Sequence, residues 1–196
     1  MPRRVDHDER RHLIAEAVWR LAVRGGLEDV TLRQVATEAG VSARLAQYYF
    51  GTRQQLLLGA LEILNAEAEA QAQERLGGLD DLRDIVRGVL LEMLPLDDDR
   101  RTLHIVYAAY FVRFLTDPAL AEAAANATPE LEALLLMLMQ QAKELGRIPD
   151  DIELPAEVTT LLAAAEGLQT RVLLGQLSAD AAVAVIDHQL ARIFSG

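Results

Sequence analysis

Apolar residues recur every three or four positions from one end of this chain to the other, a spacing that allows a helical fold and little else. Leu13, Ile14, Ala17, Val18, Leu21 and Ala22 share one helical face, with Arg10, Arg11, Glu16, Arg20 and Arg24 opposite. Leu56, Leu57, Ala60, Leu61 and Leu64 repeat the pattern further on. No period-two run bounded by turn residues competes, and no repeat of 20 to 50 residues is present, so the expected fold class is all-α with about nine or ten helices. Gly25-Gly26 ends the first helix as a left-handed cap would, and Gly40 stops a short helix from Leu32 to Ala39. Ser42 caps the next, Ala43 to Tyr49, and Thr52 opens a long one that runs to about Arg75. Downstream helices are expected near 79 to 94, 99 to 116, 118 to 127, 129 to 146, 155 to 174 and 178 to 194, each bounded by acids, Ser, Pro or Gly. The expected division is a three-helix unit at 1–51 and a larger helical body at 52–196, linked by the helix from 52 to about 75.

With 51% apolar residues in 196, the chain can bury a real core. It has no Cys, which excludes disulfides, thiolate metal sites and Cys nucleophiles. Its first residues are charged and no stretch approaches the ~18 apolar residues of a membrane span, so a soluble, unexported, cytoplasmic protein is expected. The formal net charge of −11 looks hostile to nucleic acid, but it is unevenly distributed. Residues 1 to 55 carry nine Arg against seven acids, a net of +2, whereas the rest holds 10 basic and 23 acidic side chains, a net of −13. A polyanion could approach the first part and would be repelled by the second.

Residues 31 to 50 hold a short helix, a glycine turn and a second short helix, the spacing of a helix-turn-helix. Ala36 is small where the two helices would cross, Gly40 takes a turn that a Cβ would resist, and Val41 plugs the joint. The second helix would offer Ala43, Arg44, Gln47 and Tyr48 outward. Arg pairs bidentately with guanine and Gln with adenine in the major groove, so these residue types suit base edges. Ser42, Thr31 and Thr52 put hydroxyls and helix N-terminal amides where phosphates could sit. The competing reading is a plain helical hairpin in a bundle.

The stretch Val30-Thr31-Leu32, then Val35-Ala36-x-x-Ala39-Gly40-Val41-Ser42, then Tyr49-Phe50-x-x-Arg53-x-x-Leu56-Leu57 resembles the DNA-binding domain of TetR-family transcriptional regulators. The resemblance implies that residues 42 to 48 are the recognition helix and that Tyr49 and Thr31 meet phosphates. It also implies that Arg53 stands where the family usually has a phosphate-facing Lys. The chain departs from the family pattern at Ala46, where many members carry Leu, and at Gln47, where an aromatic is frequent. The candidate DNA-binding set is Thr31, Arg33, Ser42, Ala43, Arg44, Gln47, Tyr48, Tyr49, Thr52 and Arg53. Residues 79 to 196 are similar, more distantly, to the C-terminal domain of the BetI-like branch. By resemblance, the function implied is a ligand-responsive regulator, most often a repressor.

Two apolar helices at the chain end are more than one small body needs to bury, and they point to a homodimer on a palindromic duplex. The candidate interface is Leu161, Ala164, Ala165, Leu168, Val172, Val183, Ile186 and Leu190, with Gly167 allowing close approach. Two headpieces about one turn of DNA apart (~34 Å) would add their phosphate contacts. For an effector pocket the candidates are Met93, His104, Tyr107, Tyr110, Phe111, Phe114, Met137 and Gln169, an aromatic and thioether concentration that suits a small apolar or amphipathic molecule. A filled core competes with that reading. Catalysis, a metal or a cofactor is not expected: the His residues are scattered, and no HExxH, GxSxG or GxxxxGK[ST] occurs. The alternative kept open is a helical small-molecule-binding or metal-carrier protein, or an enzyme, without DNA function.

Overall fold

A computed structural model describes residues 2–28, 30–125 and 127–194, with side chains for 7–28, 30–125 and 129–194. Among the described residues there are ten helices and no strand: α1 Pro2–Gly25, α2 Leu32–Glu38, α3 Ala43–Phe50, α4 Arg53–Leu76, α5 Leu82–Glu92, α6 Asp98–Phe114, α7 Pro118–Ala124, α8 Ala127–Glu144, α9 Leu154–Leu173 and α10 Ala179–Ile193. The expected helices are all present, several with ends set by the local chemistry that announced them, while α7 stops at Ala124, short of the expected 127, and α8 already begins at Ala127. Ser42 and Ser178 cap α3 and α10 through their hydroxyl oxygens, Thr31 caps α2, and Gly26 and Gly40 take positive φ of 76° and 67° where the chain must reverse. The start of α5 lies later than expected because Asp81, not the preceding loop, accepts from the amides of Arg83 and Asp84.

The chain packs into two compact units, and they do not divide after residue 51. The first comprises residues 1–70 and 105–124, the second 71–104 and 125–196. The first half of α4 sits with α1 to α3 because its apolar face, Leu56, Leu57, Ala60, Leu61 and Leu64, is buried against them. Trp19 of α1 donates from Nε1 to the Ala60 carbonyl at 3.2 Å. The end of α6 joins this unit through Tyr110, which is fully buried and donates its phenol hydrogen to the Leu57 carbonyl at 2.8 Å. Gly59 lets α4 approach the end of α3, since a Cβ there would stand 2.7 Å from the Phe50 ring.

In the second unit α5, α8, α9 and α10 enclose an aliphatic core around Val86, Leu90, Leu135, Met139, Val158 and Ile186. This corrects the expected dimer interface. Leu161, Ala165, Leu168, Val172, Ile186 and Leu190 are buried in the protomer's own core and present no surface, because α5 and α8 cover the apolar stripes of α9 and α10. Ala164 and Val183 are only half-buried. What α9 leaves exposed is a different, small-residue face: Ala156, Thr160, Ala163, Gly167 and Thr170.

Candidate nucleic-acid interface

The helix-turn-helix is built by local capping and one tight joint. Thr31 and Gln34 form a capping box at the start of α2: the Gln34 amide donates to Thr31 Oγ1 at 3.2 Å, and the Thr31 amide donates to Gln34 Oε1 at 2.9 Å. At the turn, the Val41 amide donates to the Ala36 carbonyl at 2.9 Å, which needs the left-handed Gly40 between them. Ser42 Oγ accepts from the Leu45 amide at 3.1 Å and starts α3. Ala46 and Phe50 then turn inward, leaving Ala43, Arg44, Gln47 and Tyr48 outside, with Tyr48 at 74% exposure. Tyr49 is half-buried, edge-on to His7 of α1 at 4.6 Å and to Tyr48 at 5.3 Å. His7 was not among the expected residues; nothing in its own sequence neighbourhood points to α3.

The hydroxyls are not equivalent as phosphate donors. Thr31 donates its hydrogen to Gln34 Oε1 at 2.7 Å, which occupies it. The capping bonds of Ser42 and Thr52 use only the oxygen as acceptor and leave the hydrogen to donate outward.

The arginines are sorted the same way. Arg20 and Arg24 of α1 both reach Glu38 at the end of α2, Arg20 Nε to Glu38 Oε1 at 3.0 Å, and this pairing holds the Glu38 carboxyl below the usual carboxylate range. Arg11 lies over the Phe50 ring, 5.3 Å from its centroid. Arg33 and Arg44 are exposed and have no ion-pair partner among the described residues. Arg53 corrects an expectation. Its guanidinium is turned into the protein, Nε donating to the Val30 carbonyl at 2.6 Å and Nη2 to those of Leu27 and Glu28 at 2.6 and 2.9 Å, rather than outward to a phosphate. Arg3 and Arg4 have side chains outside the described residues.

The eight expected pocket residues fall in both compact units, Tyr107, Tyr110, Phe111 and Phe114 in the first and Met93, His104, Met137 and Gln169 in the second. Tyr107, Tyr110 and Phe114 pack in the first unit, where the Tyr107 hydroxyl donates to Asn65 Oδ1 at 2.8 Å and burial pushes its phenol up to about 12. Tyr110 stacks on Phe114 with ring centroids 6.0 Å apart. Phe111 and Met137 stand in solvent at 60% and 59% exposure. Met93 and Gln169 are half-buried in the second unit. His104 is buried there, its Nε2 3.2 Å from the Glu92 carbonyl, and desolvation holds its pKa below 6.5. Sequence periodicity placed these residues on faces but could not say which faces meet. Among the described residues no group of His, Asp and Glu is arranged to hold a metal ion, and no helix is long and apolar enough to cross a membrane.

Residues 14–60 match the profile of bacterial regulatory proteins of the tetR family, and residues 82–195 match the BetI-type transcriptional repressor C-terminal domain. The HTH-type transcriptional regulator PksA of Bacillus subtilis (strain 168) is 34% identical over 101 residues, 50% of this chain and 48% of that one. The chain thus covers about half the length of that curated relative. A TetR-family regulator from Rhodococcus sp. superposes with TM-score 0.84 at 26% identity, over 95% of this chain and 100% of that one. A transcriptional regulator from Saccharomonospora viridis in complex with choline gives TM-score 0.87 at 22% identity, over 96% and 100%. The family is one of transcriptional regulators and not of enzymes. With its amino-terminal match over the helix-turn-helix and a second match across more than half the chain, this protein belongs to the tetR family of bacterial regulatory proteins.

Proposed function

We propose that this protein is a cytoplasmic, DNA-binding transcriptional repressor that acts as a homodimer on a palindromic operator and is released by a small apolar or amphipathic effector. The observation that carries the reading is α3. Its inner face is spent on Ala46 and Phe50, while Arg44 and Gln47 project with no ion-pair or hydrogen-bond partner among the described residues, as groups meant for base edges do. Ser42, Thr52 and Tyr49 flank them as phosphate contacts, with Arg33 as a nearby cation. Residues 1–51 are the DNA-reading part and 52–196 the effector and dimer part. This functional division differs from the packing division because the first part of α4 and residues 105–124 pack in the first compact unit.

The dimer contact is the exposed small-residue face of α9, Ala156, Thr160, Ala163 and Gly167, together with Ala184, Val185, His188 and Ala191 of α10. These faces carry few charges and let helix axes come close, which is what a four-helix contact between two copies requires. Two recognition helices about one turn of DNA (~34 Å) apart then read an inverted repeat. The effector chemistry follows from the second unit. Its buried hydrophobic cluster is aliphatic apart from Phe194, with the His104 imidazole buried in the same unit, so it offers few of the ring faces that would cage a quaternary ammonium such as the choline of the Saccharomonospora viridis neighbour. The test is selection of genomic fragments by the purified protein. An enriched inverted repeat with half-sites one helical turn apart is expected, and no enrichment over random duplex at low salt overturns the reading.

A further inference from the structure

We propose that Arg53 is a positioning residue for DNA binding: its guanidinium ties the loop between α1 and α2 to the start of α4 and so presets the amino terminus of α2. The inference rests on the DNA-binding reading above and assigns Arg53 a place in it that is not a phosphate contact.

Three carbonyls converge on one side chain. Nε donates to Val30 O at 2.6 Å, and Nη2 donates to Leu27 O at 2.6 Å and Glu28 O at 2.9 Å. Leu27 and Val30 are themselves buried, so the loop backbone sits against the core and its carbonyls need partners from within the protein. A planar fork with fixed donor directions can serve carbonyls on both sides of Glu28 at once; an ammonium on a flexible stem reaches one at a time. Val30 directly precedes Thr31, the cap of α2, so the position of its carbonyl sets where the capping box forms.

The same loop is held from a second direction. Arg113 near the end of α6 lies 3.7 Å from Glu28 through Nη1 and reaches Asp117 at 3.3 Å through Nη2, and Asp117 Oδ1 accepts from Gln54 Nε2 at 3.2 Å. Arg53 of α4 and Arg113 of α6 therefore hold one short segment, with Gln54 and Asp117 linked behind Arg113, and that segment leads into α2, the first helix of the helix-turn-helix. Swinging Arg53 outward to a phosphate would strip the Val30 and Glu28 carbonyls of their donor and leave Leu27 O with only the Val30 amide at 3.4 Å.

The experiment uses the full-length protein, its selected operator, and the variants Arg53→Lys and Arg53→Gln, with affinity measured by fluorescence anisotropy across a salt series. A positioning residue predicts that Lys fails as Gln does. Both weaken operator binding by roughly tenfold or more, while the slope of log K against log salt stays that of the parent. A phosphate contact predicts the reverse: Lys restores binding, and Gln flattens the slope by about 0.9 per subunit. That pair of results overturns the proposal. Amide exchange without DNA gives an independent readout. Residues 30 to 34 should lose protection in Arg53→Lys while α9 and α10 keep theirs, and unchanged protection at 30 to 34 also overturns the proposal. If the parent protein binds no duplex, the functional reading fails, and the exchange measurement still decides whether Arg53 braces the loop.

Discussion

Gly59→Ala sets two known effects against each other at the back of the recognition helix. Gly59 lies inside α4, so an Ala there gains about 1 kcal/mol of helix propensity if nothing else changes. The added methyl, however, would stand 2.7 Å from Cε1 and 2.9 Å from Cδ1 of Phe50, against 3.4 Å for ordinary contact, so about 0.7 Å must be found. The ring cannot simply swing away: Phe50 is 5% exposed and has the Arg11 guanidinium over it. Overpacking of this kind costs about 1–3 kcal/mol, so the net change is a loss of up to ~2 kcal/mol, or several degrees in Tm for a chain of this size. The larger consequence is functional, because Phe50 is the last residue of α3 and a shift above ~0.5 Å exceeds the tolerance of a preorganised site. Thermal melts and operator titrations should show lower Tm and roughly tenfold weaker binding, with Gly25→Ala, whose Cβ would meet nothing within 4 Å, as the control. A Gly59→Ala protein that melts higher than the parent and binds the operator equally well would refute the reasoning.

Arg44→Ala should weaken operator binding by ~1–3 kcal/mol and relax the preference at one base position per half-site; equal loss on every duplex would make Arg44 a phosphate contact instead. Gly167→Arg should leave the fold intact, since nothing lies within 4 Å of a Cβ there, and should convert a species of twice 21.6 kDa to one of 21.6 kDa by light scattering; a variant that stays dimeric moves the interface elsewhere. His104 gives a pH dependence. Because burial, helped by the nearby Arg100 guanidinium and opposed by the bond to the Glu92 carbonyl, lowers its folded pKa below 6.5, the unfolded chain binds this proton first as pH falls. Stability from this site is complete above 6.5 and is lost as pH drops through the window beneath it, and His104→Gln should flatten the Tm profile there; an unchanged profile would remove His104 as its source.

Most of the helix-turn-helix could be read without coordinates because its signals are local. Thr31, Ser42 and Thr52 each bond a backbone amide three residues on, and Gly40 alone supplies the left-handed turn, so four or five residues of sequence contain the whole cause. The glycine at 59 carried a signal too, since a Gly inside a helical pattern marks either a flaw or a close approach. The arginine count misled in detail. It described a cationic headpiece, but Glu38 engages Arg20 and Arg24, and Arg53 is consumed by backbone carbonyls, which leaves fewer unpaired cations facing outward than nine arginines suggested.

Sequence alone determined the all-helical class, the order of the helices and the face of α3 that looks outward, because capping, glycine conformation and 3.6-residue periodicity act within a single element. Tertiary structure decided the rest: that α5 and α8, not a second copy, cover Leu161 and Leu190; that Tyr107, Tyr110 and Phe114 pack in the first unit while Met93 and Gln169 belong to the second; and that Arg53 turns inward. The partners in those choices lie 23 residues away for Arg53 and Val30, and 63 for Gln54 and Asp117. Periodicity fixes the phase of a helix but contains no term for what packs against it, and a long side chain takes its direction from the nearest unsatisfied acceptor, wherever the fold delivers one.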